Sequence, residues 1–199
     1  MNKLCLLGLL VGMASQSVMA QSAATDNTTL QAKNAFIGKL MKQMTLDEKI
    51  GQLRLISISA DMPQPQILKE IAAGRIGGTF NSVTRSENRP LQEAAVAKSR
   101  LKIPMFFAYD VVHGHRTIFP ISLGMAASWD MDAVALMGRV SAKEASADSI
   151  DMTFAPMVDI SRDPRWGRSS EGFGEDTYLV SRISDVMVRS FQGKNIAAN

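Results

Sequence analysis

With 199 residues, 46% of them hydrophobic and 21% charged, the chain has the composition of an ordinary globular protein, with no low-complexity tract or repeat. Its formal charge of +3 is small, and its lysines and arginines are interspersed with acids, so the basic stripe that nucleic acid binding requires is absent. One cysteine, Cys5, excludes an internal disulfide framework.

Met1-Asn2-Lys3 supplies a short basic start, Leu4 to Ala14 an apolar core, and Val18-Met19-Ala20 a small-residue cleavage pattern. Together they form an export signal over 1–20, with cleavage expected after Ala20. The apolar run is too short for a membrane anchor. Cys5 lies at the start of that run rather than at the cleavage point, which argues against lipid attachment, and cleavage would remove it and with it any thiol catalysis. A cysteine-free mature chain suits a bacterial periplasm.

A polar leader follows from Gln21. Phe36, Ile37, Leu40, Met41 and Met44 fall at helical spacing and predict an amphipathic helix over 30–44. Thr45-Leu46-Asp47-Glu48 matches a capping box that opens a second, short helix. Residues 53–59 turn β-like. Helices and strands then alternate: a helix over 66–73 ended by Gly74, a strand over 76–80, a helix over 87–100, and an apolar strand over 103–110 finishing on Asp110. A short strand is predicted over 120–123, and a helix capped by Asp130 runs to about Ala147.

Met152 to Ile160 reads as a strand buried on both faces. Ser161 to Gly174 is a connector dense in charge and aromatics, and Glu175, Asp176 and Thr177 open a last helix that ends near Phe191. Gly193 to Asn199 reads as a loop leading toward a strand that the sequence does not reach. Strands alternating with helices give a parallel sheet with right-handed crossovers. About five strands are counted, whereas a closed eight-stranded barrel takes about 250 residues. The predicted fold class is therefore α/β, the N-terminal part of a TIM-like (β/α)8 barrel over 21–199, truncated before closure.

In such folds ligands bind where loops leave the C-terminal ends of strands. Asp110 ends an apolar strand where a carboxylate needs a partner or a polar cleft. It suits two neighbouring sugar hydroxyls, or a brace to Arg116. Arg116 and Arg168 sit in loops that follow strands and offer forked donors. Of Arg162, Arg165 and Arg168, at most one or two can face a ligand, the others pairing with Asp163, Glu171 or Glu175. His113 and His115 lack a third ligand at metal spacing, so they brace a loop and no metal or cofactor is predicted. Trp166 is a lid or floor of the site, and the 13 methionines fill the core.

Three blocks carry a resemblance. Met44 to Leu53, then Phe107-Ala108-Tyr109-Asp110-Val111-Val112-His113-Gly114 with Arg116 and Phe119-Pro120, and then Ala155 to Asp159 through Asp163-Pro164-Arg165-Trp166-Gly167-Arg168 to Asp176, resemble glycoside hydrolase family 3 in its own order. The resemblance implies a barrel domain followed by an α/β sandwich, and retaining removal of terminal β-linked glucose from oligosaccharides. It implies that Asp110, Arg116 and Arg168 bind substrate, and that the nucleophile and the acid/base lie beyond Asn199, so that this polypeptide is inactive without the C-terminal part of its own chain. A periplasmic sugar-binding protein without catalysis, or a relative acting on N-acetylglucosaminides or xylosides, are the alternatives.

Overall fold

The computed structural model describes residues 29–58, 62–193 and 197–198, so the export signal and its cleavage point lie outside the described residues. The chain divides into two compact units, 1–45 and 46–199. In the first, α1 covers residues 29–43 and leaves Leu30, Phe36, Ile37 and Met41 exposed.

The second unit is a parallel α/β layer. In order it contains α2 (Leu46–Gln52), β1 (Leu55–Ser57), α3 (Gln64–Ala72), β2 (Gly78–Phe80) and α4 (Arg85–Glu93), which runs into a π-turn over Ala94–Lys98. Then come β3 (Phe106–Tyr109), α5 (Ser122–Ala127), α6 (Met131–Ala147), β4 (Met152–Thr153), α7 (Thr177–Gln192) and β5 (Ala197–Ala198). Every strand pair is parallel and the spatial order is β1-β2-β3-β4-β5, the sequential winding of a barrel wall that stays open.

Two apolar clusters hold the helices. Ile67 and Ile71 of α3 pack with Leu91 of α4 and Phe107 of β3. Val134 and Met137 of α6 pack with Ile183, Met187 and Phe191 of α7 and with Phe173 from the loop before it. Burial of each such side chain is worth about 1.5–3 kcal/mol. Glu48 of α2 is buried, and its two carboxylate oxygens take Arg100 at 3.0 and 2.6 Å.

Four expectations change. Residues 120–123 are not a strand: Ser122, Met125 and Ala126 are buried at i, i+3 and i+4, and helix formers follow, so α5 starts there. The strand predicted over 152–160 shrinks to Met152–Thr153, and Phe154 and Val158 are exposed. Pro156 has no N–H to give a ladder. Thr153 replaces it locally, its hydroxyl accepting from Val111 N at 3.2 Å and Ala155 N at 3.1 Å. The helix predicted from 87 begins at Arg85, because Thr84 and Glu87 form a reciprocal capping box. The tail does reach a strand, Ala197–Ala198, which pairs with β4.

Candidate functional site

β3 delivers Asp110, exposed at its C-terminal end, and the chain from there to Phe119 is pinned at several points. Val111 N is fixed to Thr153. His113 Nδ1 lies 3.0 Å from the Phe119 carbonyl oxygen while Phe119 N donates to the His113 carbonyl at 2.9 Å, closing the neck of the loop. Gly114 sits at φ +121°, and a Cβ there would collide with the Thr117 carbonyl oxygen.

Past Gly114 the loop meets the C-terminal end of α6. The His115 ring is nearly buried, with Nε2 2.8 Å from Asp148 Oδ2, and it packs edge-on against Tyr109 at 5.9 Å. Arg116 grips Asp148 with Nε at 2.8 Å and Nη2 at 2.6 Å. Arg116 N, Thr117 N and Thr117 Oγ1 all donate to Glu144, at 2.9, 2.8 and 2.6 Å. Arg116 first, then His115, hold the Asp148 carboxyl down at about 2 despite its burial. The Thr117 hydroxyl is the main reason that Glu144 also lies below its ordinary value.

The second loop runs from β4 to α7 and is closed at its base by Ser161 N donating to the Gly174 carbonyl at 3.1 Å. Its charges pair locally. Arg165 takes Asp163 at 2.6 Å and Arg168 takes Glu171 at 2.7 Å, all four side chains being substantially exposed. Trp166 is partly exposed, and its carbonyl accepts from the Ser169 hydroxyl at 2.8 Å. The Arg168 guanidinium is raised first by Glu171 and then by the charges of Asp110 and Asp159.

Two of the three sequence-predicted substrate residues, Asp110 and Arg168, therefore share one electrostatic neighbourhood, contributed by the loops after β3 and β4. The Arg116 guanidinium pairs with Asp148, with Glu144 as a further carboxylate neighbour. Sequence reasoning missed Glu144 and Asp148. A signal for them existed, since two acids four residues apart at a helix C-terminus repel each other and oppose the helix dipole, and so call for cationic partners. Among the described residues no group of three or more His, Cys, Asp or Glu is arranged to hold a metal ion, and no helix is long and apolar enough to cross a membrane.

The chain is 55% identical over 198 residues to the periplasmic beta-glucosidase of Salmonella typhimurium, covering 99% of this chain and 26% of that protein. It is 30% identical over 194 residues to the lysosomal beta glucosidase of Dictyostelium discoideum, covering 83% of this chain and 24% of that one. The crystal structure of beta-glucosidase from Listeria innocua in complex with glucose superposes with a TM-score of 0.74 at 37% identity, over 82% of this chain and 26% of its own. The chain thus spans about a quarter of the length of these relatives. Residues 45–199 match the glycosyl hydrolase family 3 N terminal domain, and by that match and the parallel barrel wall that carries Asp110 and Arg168 the chain belongs to this family.

Proposed function

We propose that this chain supplies the part of an exported, periplasmic β-glucoside hydrolase that grips the terminal glucose. The observation that carries the proposal is the placement of Asp110 and Arg168 on the loops that leave two consecutive strands, with the Asp110 charge acting on the Arg168 guanidinium. A carboxylate accepts from vicinal hydroxyls while a guanidinium donates to them, so together the pair can fix one edge of a pyranose. Export rests on the signal pattern over 1–20 together with the similarity to a periplasmic beta-glucosidase of Salmonella typhimurium.

Retaining hydrolysis needs two carboxyl groups about 5–5.5 Å apart, one attacking and one donating a proton. In this proposal neither is assigned to Asp110 or Asp159: Asp110 binds hydroxyls and Asp159 acts on Arg168 through its charge. The 199-residue chain alone then binds sugar without turning it over.

Two measurements test this. In a chimera where the chain replaces the matched quarter of the Salmonella protein, hydrolysis of an aryl β-glucoside is expected. Asp110→Asn is expected to lower kcat/KM about 10- to 100-fold, the loss of charge-assisted hydrogen bonds. The isolated chain is expected to bind glucose and to release no aryl alcohol. Turnover by the isolated chain, or an aryl β-xyloside or N-acetylglucosaminide preferred over the glucoside by the chimera, would overturn the proposal.

A further inference from the structure

We infer that Glu144 and Asp148, at the C-terminal end of α6, are positioning residues for Asp110: through His115, Arg116 and Thr117 they set the shape of the loop that presents the Asp110 carboxylate to a sugar. This rests on the sugar-gripping role proposed above for Asp110.

The geometry concentrates six polar contacts from three consecutive residues onto two acids. His115 Nε2, Arg116 Nε and Arg116 Nη2 converge on Asp148, and Arg116 N, Thr117 N and Thr117 Oγ1 converge on Glu144. These contacts span 27 to 33 residues of sequence, so they tie the β3 loop to a different helix rather than tightening the loop on itself. Asp148 and His115 are shielded from water, which strengthens the contact between them. Placing acids at a helix C-terminus costs energy on its own, and here donors from the loop offset that cost.

Asp110 lies only a few residues upstream. Its carboxylate makes no hydrogen bond among the described residues, so nothing on its own side chain fixes its direction. The backbone that follows it is held instead. Val111 N is tied to Thr153, and the His113–Phe119 exchange closes the neck through which the clamp is transmitted. A ligand-directed carboxylate held this way is oriented without competing internal hydrogen bonds.

A clamp that served stability alone would leave sugar affinity untouched in any variant that stays folded. Glucose titration of the 199-residue chain, followed by NMR, separates the two roles. Glu144→Gln removes charge from the acceptor of three donors and is expected to weaken glucose binding about fivefold or more. Thr117→Val, at an exposed residue, removes one donor and is expected to weaken binding about two- to threefold with the melting temperature within about 2 °C of the parent. Thr117→Ser keeps the hydroxyl and is expected to restore parental affinity. If Glu144→Gln does not fold, the Val and Ser pair at position 117 carries the test. Unchanged affinity in the folded variants, with Asp110→Asn abolishing binding, overturns the positioning role alone. A folded parent that binds no glucose overturns the sugar reading and the positioning role with it.

Discussion

The loops after β3 and β4 both carry arginines that pair with acids, yet they use the pairs in opposite ways. In the first, Asp148 is buried, its partners lie 32 and 33 residues away, and the contacts join a loop to a helix end. In the second, Arg165 and Arg168 pair with acids two and three residues away, and both sides of each pair stay wet. A long-range pair with a buried acid fixes one geometry, because releasing it strands a desolvated charge. A local exposed pair is held by little energy and exchanges readily with a ligand. The first loop is therefore built to hold still, while the second keeps Arg168 available.

The largest effect expected on this contrast comes from Gly114→Ala. The backbone there is left-handed and a Cβ meets a carbonyl, so stability is expected to fall by about 3 kcal/mol or more, read from the urea midpoint. A midpoint equal to the parent would show that the first loop is no more constrained than the second. Next is Asp148→Ala, which strands His115 and frees Arg116 and is expected to cost about 2 kcal/mol, less than a fully buried pair because Arg116 is solvated.

Asp148 also predicts a pH signature. Its folded value is depressed from 3.8 to about 2, so its ionised form stabilises the fold above about pH 4 and that contribution is lost as pH falls toward 2. Glu144, depressed in the same direction, adds to the same acid-side loss. In Asp148→Asn the decline between pH 4 and 2 is expected to flatten by about 1–2 kcal/mol, measured by melts at each pH. An identical slope in the variant would remove Asp148 from the clamp.

These effects fall where the sequence was least legible. The starts of α6 and α7 were readable because their caps are local: Asp130 Oδ1 accepts from Asp132 N and Ala133 N, and Asp176 Oδ1 from Leu179 N, all within three residues. Asp110 was readable as an acid closing an apolar strand. The β5 strand was not, since two alanines carry little strand preference and only pairing with β4 defines them. Arg168 was indistinguishable from Arg162 and Arg165 by spacing, and what distinguishes it from Arg165 is that the Asp110 charge acts on its guanidinium. Arg116 was assigned by its place after a strand, whereas its partner is set by tertiary contact with α6.

The smallest expected effects lie in the second loop. Arg165→Ala breaks an ion pair between neighbours that remain solvated, and stability is expected to move by no more than about 0.5 kcal/mol. Arg168→Ala breaks a similar exposed pair and is expected to be just as mild in urea denaturation, yet to weaken glucose binding about tenfold or more, because of the two guanidiniums it is Arg168 that feels the Asp110 charge. Equal stabilities with unequal affinities in these two variants would separate the ligand-facing guanidinium from its structural neighbour. Equal affinities would place Arg168 with Arg165 as a solvated loop charge, and the contrast between the two loops would then be one of rigidity alone.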